Sequence, residues 1–212
     1  MTQQPRPRPT APLVAATQRL EQSASLDGLR RAYAVLAAPV DRWSGSELLR
    51  SGLVGHALHP LLTDVPLGCW TAATALDLRG RADDRGASRF LVGVGLAAVG
   101  PTALTGLAEW ARTGREAQRV GALHGALNVV ATTLYLTSYV ARSRRRHALG
   151  VATALAGAAV TGASGYLGGH LTMARKVGSR HPAYDHDAVG PVLGGTEPPE
   201  PLEPVTGPGA LT

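Results

Sequence analysis

The residues best equipped for chemistry in this chain are histidines. His56 and His59 stand three apart, His124 opens an apolar run, and His170 follows a Gly168-Gly169 pair. Imidazole suits zinc, copper, iron and nickel, and haem iron takes axial histidines. A carboxylate or amide on the second ring nitrogen would fix the tautomer; Asp64 and Asn128 lie near in sequence, and Glu109 closes the second apolar run on the same side. Asn128 falls four residues after His124, which puts both on one helix face. The candidate site is therefore a haem b or transition-metal centre. His59, His124 and His170 are its ligands, His56 stands beside them, and Asp64, Glu109 and Asn128 orient them. His124 is the best single ligand and His59 the opposing one, backed by Asp64. The bland alternative is a satisfied polar network with no ligand.

The elements that must position these residues are apolar. Between residues 90 and 174 every formally charged residue falls in two short stretches, 109–119 and 142–146. The charge-free runs 90–108, 120–141 and 148–174 are 19, 22 and 27 residues long. A helix needs about 20 residues to cross the hydrocarbon core. A fourth run, 61–78, carries Asp64 and Asp77 near its two ends and is the weakest of the set. The connections are short, so neighbours must be antiparallel. The expectation is an all-α integral membrane four-helix bundle made of two helical hairpins. Disordered or extended tails flank it: an N-terminal tail with a surface helix over 1–54, the transmembrane domain over 55–174, and a Pro-rich tail over 175–212. In the first tail, Gly28 is expected to interrupt a helix over 13–38.

Four antiparallel spans place His56, His59, Asp64, Glu109, His124, Asn128 and His170 in one leaflet, on the side of both termini. The other side holds arginine-rich loops, Asp77 and His147. Intramembrane ionisable groups are costly and face the bundle interior, where they pair. Gly121-x-x-x-Gly125 and Gly165-x-x-x-Gly169 offer close-packing faces. A weak repeat links Leu58-His59 with Leu123-His124, and Ala103–Gly106 with 159–162. Duplicated hairpins would make His59 and His124 symmetry mates; chance similarity in Ala- and Gly-rich sequence is the alternative.

Other chemistries have little to rest on. The net charge is +6, but the basic residues sit in loops and at segment ends, as membrane proteins use them, so no nucleic-acid partner is expected. One cysteine, Cys69, excludes an iron–sulfur cluster within this chain. No nucleophile elbow, phosphate loop or dinucleotide fingerprint appears. Eight basic residues fall on each membrane side, so the positive-inside rule is tied. The absence of a signal sequence at the start favours termini in the cytoplasm.

Four motifs carry a family resemblance: the stretch from His56 through His59 and Asp64 to Trp70, Thr105-Gly-Leu-Ala-Glu-Trp110, His124-Gly-Ala-Leu-Asn128, and Gly165-Tyr-Leu-Gly-Gly-His170-Leu. Over about 55–184 the chain resembles an uncharacterised four-helix bacterial membrane domain family, often fused to a C-terminal Rieske [2Fe–2S] domain. The resemblance implies an integral membrane protein, in contact with the lipid bilayer, and a redox context. The Cys-x-His pairs of a Rieske domain are absent here, so any such iron–sulfur partner would be a separate protein. Three functions compete. One is a redox module binding haem b or a metal ion. The second is a non-enzymatic membrane anchor or assembly protein with a structural polar cluster. The third is a small transporter or proton path.

Overall fold

The computed structural model describes residues 11–50 and 55–178, and among these every regular element is helical. The expected extended tails at 1–10 and 179–212 lie outside the described residues. In chain order the α-helices are α1 (Pro12–Gln22), α2 (Asp27–Arg42), α3 (Ser46–Leu49), α4 (Leu58–Arg79), α5 (Arg85–Trp110), α6 (Arg115–Ser143) and α7 (His147–Gly169). A π-helical turn, His170–Ala174, continues α7.

Local sequence explains the boundaries. Pro12 opens α1, where its missing N–H costs nothing. Gly80 ends α4 at φ 72°, the left-handed conformation that glycine adopts without strain. The first expected helix does break, but at Ser23 and the 3₁₀ turn Ala24–Leu26. Gly28 sits inside the first turn of α2, where no intrahelical N–H bond is yet due. Pro66 lies inside α4 and cannot bond Leu62; the Thr102 hydroxyl of α5 donates to the Leu62 carbonyl instead, at 3.2 Å.

Among the described residues, three helices are long and apolar enough to cross a membrane: Ala82–Trp110, Arg115–Ser143 and His147–Ala174. Helix α4 is not among them, because His59, Asp64 and two internal prolines lower its hydropathy. Even so, Leu61, Val65, Leu67 and Leu78 of α4 are exposed, as are Phe90, Leu104, Val129, Leu136 and Leu155 on the other three. Large apolar side chains on the outside and small or polar ones within reverse the pattern of a water-soluble bundle.

The α4–α5 and α6–α7 hairpins share one pattern of buried positions. Helix α4 neighbours α5 and α7, and α6 neighbours the same two, so α4 and α6 face each other diagonally. The buried residues of α4, Pro66, Trp70 and Ala73, recur 65 positions later as buried Ala131, Tyr135 and Ser138. Buried Gly150, Ala154, Gly157, Ser164 and Leu167 of α7 each lie 62 positions after a buried residue of α5: Ser88, Val92, Gly95, Thr102 and Thr105. The second helices therefore match in a different register from the expected one, since Ala103–Gly106 and 159–162 are only 56 apart. The sequence likeness misled because small residues recur along both helices; burial, not identity, sets the register.

Mates from the first helix of each hairpin meet on the axis between copies. Trp70 stacks on Tyr135 with ring centroids 3.9 Å apart and planes 15° apart. Gly95 and Gly157, themselves mates, leave room for those two rings. The expected glycine faces divide. A Cβ at Gly121 or Gly125 would strike Trp110 or Tyr33, so both are in close contact. A Cβ at Gly165 or Gly169 would meet nothing within 4 Å among the described residues, so these two form no packing face there.

Helices α1 and α2 dock onto the α5–α6 side, where Ala37, Trp110 and Ala122 are buried together and Leu29 and Tyr33 pack against them.

Candidate functional site

Two of the expected ligands meet. The rings of His59 on α4 and His124 on α6 lie 6.3 Å apart, centroid to centroid, edge to face at 89°. Each is held by the partner helix of its own hairpin. His59 Nδ1 lies 2.9 Å from the Thr102 carbonyl oxygen, and His124 Nδ1 lies 2.8 Å from that of Ser164. Thr102 and Ser164 are mates in the repeat. A carbonyl only accepts, so Nδ1 carries the proton in both rings and Nε2 carries the lone pair. The symmetry seen in the packing thus extends to the tautomers.

The symmetry breaks at Nε2. On His124 it accepts from the Asn128 amide at 3.0 Å; Asn128 Oδ1 accepts from the Ser164 hydroxyl at 2.8 Å; and Ser164 is the residue whose carbonyl takes the His124 proton. The three side chains form a closed, satisfied ring. The mate of Asn128 is Thr63, whose hydroxyl turns back to the Pro60 carbonyl. His59 Nε2 therefore has no hydrogen-bond partner among the described residues.

The other expected site residues are placed elsewhere. His170 is drawn away by α1: its Nε2 lies 2.7 Å from Glu21 Oε1, and Arg175 reaches the same carboxylate. His56 is exposed, with Nδ1 against the carbonyl of its own neighbour, Ala57. Asp64 is exposed and does not back His59. Five residues turn a helix through about 500°, which leaves Asp64 about 140° around α4 from His59. Glu109 does reach the site: Oε1 lies 3.4 Å from the His59 backbone N–H, one of the first-turn donors of α4 that its own helix cannot satisfy. Among the described residues, no three His, Cys, Asp or Glu side chains converge to hold a metal ion, so the three-histidine centre is not assembled.

A cleft of about 380 Å³ opens beside the pair. His59, His124, Glu109, Asn128 and several threonines contribute polar groups, and its walls are mostly apolar, with Leu107, Trp110 and Val129 prominent. Tyr33 and Leu36 of α2 complete it.

Two ionic groups escaped the sequence reading. On the side expected to hold arginine-rich loops, Asp77 and His147, Asp77 of α4 and Arg142 of α6 form a two-pronged pair, each side chain 2% exposed. Ser88 and Ser138 complete it: the Ser88 hydroxyl donates to Asp77, and Arg142 donates to both hydroxyls. The signal was present as two opposite charges in equivalent positions of a repeat. The second group fastens the N-terminal helices. Asp27 accepts from Arg119 at 2.8 and 2.9 Å and from Arg115 at 2.7 Å, which holds its carboxyl well below the usual range. Burial pushes Glu21 up, but hydrogen bonds from Arg175 and His170 outweigh it and leave the carboxyl lowered. Arg112 likewise holds Asp41 low.

No curated protein and no solved structure matches this chain. A family model described as "Predicted membrane protein (DUF2231)" matches residues 55–181, which begins just before α4 and takes in both hairpins but neither α1 nor α2. The apolar helices, the duplicated hairpins and the histidine pair all fall within that match, and the chain belongs to this family of membrane proteins of unknown function.

Proposed function

We propose that the chain is a four-span protein of the cell membrane acting as a non-enzymatic anchor or assembly module. In this reading residues 55–174 form the transmembrane domain and α4 is the first span. Its 22 residues reach about 33 Å at 1.5 Å per residue, enough for the hydrocarbon core. Both termini lie on one side, taken as the cytoplasm. The observation that carries the reading is the closed ring of His124, Asn128 and Ser164. A histidine with both nitrogens satisfied is a strut between the two helices of its own hairpin, α6 and α7, and a buried polar network of this kind specifies one packing.

The test is spectroscopic and elemental. Purified in detergent, the protein is expected to show no Soret band and no stoichiometric transition metal. A band lost in His59→Ala or His124→Ala, at matched folded protein, would overturn the reading. Reporter fusions at Arg85, Gly114, Arg144 and Gly194 should alternate between the two sides; Gly114 and Gly194 on opposite sides would refute four spans.

The open Nε2 of His59 favours a second reading. A redox module would hold haem b between His59 and His124 and exchange electrons with a separate Rieske-type iron–sulfur protein. That arrangement requires His124 to exchange Asn128 for iron, and the same spectrum decides it.

A further inference from the structure

An anchor has no use for the cleft beside the histidine pair, and the two halves of the repeat have diverged there. We propose that the cleft binds a bilayer-dissolved molecule with a neutral hydroxyl head and an apolar body, the hydroxyl donating to His59 Nε2. In one half, Asn128 seals the histidine. In the other, the equivalent Thr63 leaves His59 Nε2 open. The second divergence lies next to the first. Glu109 of α5 contributes a carboxyl to the cleft, where its mate 62 positions later is the apolar Leu171. One copy of a duplicated scaffold has been closed, and the other kept open with two acceptors.

The chemistry of the occupant follows from these groups. His59 Nδ1 is committed to the Thr102 carbonyl, so Nε2 can only accept. Among the described residues Glu109 has one weak partner, the His59 N–H at 3.4 Å, and further hydrogen-bonding capacity. At His59 Nε2 the ligand must therefore donate. The rest of the lining is mostly apolar, with Trp110, Tyr33 and several threonines among it, and a space of about 380 Å³ lies within the range of small-molecule sites. A hydroxyl is favoured over an ammonium because a cation pays heavily to leave water at this depth. The site does not depend on the anchor reading, since it rests on His59 and Glu109 and not on the sealed His124.

The test uses the full chain in phosphatidylcholine nanodiscs, with 4-nonylphenol and its methyl ether as probes. The phenol is expected to quench tryptophan emission saturably. The ether, which lacks the donor, should bind about tenfold more weakly, the scale of one unmade hydrogen bond in a buried site. In ¹⁵N-histidine spectra the phenol should shift the His59 Nε2 resonance and leave that of His124 in place. His59→Leu should abolish the preference for the phenol. Equal binding of phenol and ether, tighter binding of nonylammonium, or a shift at His124 in place of His59 would each overturn the proposal. Should His59→Leu fail to fold, the wild-type comparison of phenol with ether decides alone.

Discussion

Asp77 and Arg142 stand 65 residues apart, occupy equivalent positions in the two hairpins, and pair with each other on the axis that relates those hairpins. Two like charges would repel there; opposite charges convert the symmetric position into a bond. Trp70 with Tyr135 and His59 with His124 use the same place on the axis for stacking and for edge-to-face contact. The three mate pairs run along the axis from one end of the hairpins to the other.

Breaking the ion pair should be severe. Asp77→Ala leaves a guanidinium buried with only hydroxyl partners, and removing one member of a buried pair costs about 3–5 kcal/mol. Thermal unfolding in detergent should register a large loss for Asp77→Ala and for Arg142→Ala. The exchange Asp77→Arg with Arg142→Asp should recover much of it, because the axis makes the two positions near-equivalent. An exchange variant no more stable than the single variants would refute the symmetric account.

The docking of the N-terminal helices should be acid-sensitive. The arginines hold the Asp27 carboxyl below its unfolded value, chiefly through Arg119 and then Arg115. A depressed carboxyl stabilises the folded state fully above its unfolded pKa, about 3.9 for Asp, and loses that contribution as pH falls through the depressed folded value. The lowered Glu21 acts in the same direction. Hydrogen exchange should therefore show α1 and α2 less protected at pH 3 than at pH 7, while α5–α7 keep their protection. Asp27→Asn should expose them at pH 7. Equal protection of α1 and α2 at both pH values would contradict the assignment.

What can be read from the residues is what depends on nearest neighbours and on period. Three apolar helices follow from charge-free length, the His124–Asn128 bond from four-residue spacing, and the meeting of His59 with His124 from duplication. The failures have physical causes of another kind. His170 is lost to Glu21, which is 149 residues away on a helix whose docking no local pattern announces. Asp64 is near His59 in sequence, but the turn of the helix carries it off the face. The Asp77–Arg142 pair is hidden because charges at segment ends ordinarily belong to the interface, where snorkelling needs no partner.

Glycine positions give a sharp contrast. A Cβ at Gly95 would lie 2.2 Å from Trp70 Nε1, and the indole, clamped on Tyr135, has nowhere to move. Overpacking of this kind costs about 1–3 kcal/mol. A Cβ at Gly165 meets nothing within 4 Å. Gly95→Ala should lower the melting temperature clearly, whereas Gly165→Ala should change stability by less than about 1 kcal/mol. Equal effects would mean that Gly165 packs against a second molecule or that Trp70 is not fixed.

The ring around His124 makes the last prediction. Asn128→Leu removes the donor to Nε2 and leaves that nitrogen unsatisfied, while the Ser164 hydroxyl loses the Asn128 oxygen and keeps the His124 carbonyl at 3.1 Å. A buried group left unsatisfied costs about 1–3 kcal/mol. His124→Leu leaves Asn128 and the Ser164 carbonyl short of partners by the same logic. In the double variant His124→Leu with Asn128→Leu, both members of one bond are gone and apolar surface replaces them. The double variant should therefore be more stable than the sum of the single losses predicts, by about 0.5–3 kcal/mol of coupling in a double-mutant cycle. The same cycle on His59 and Thr63, the corresponding pair in the other hairpin, should give no coupling, since Thr63 turns to Pro60. Coupling of equal size in both cycles would show that Thr63 seals His59 as Asn128 seals His124.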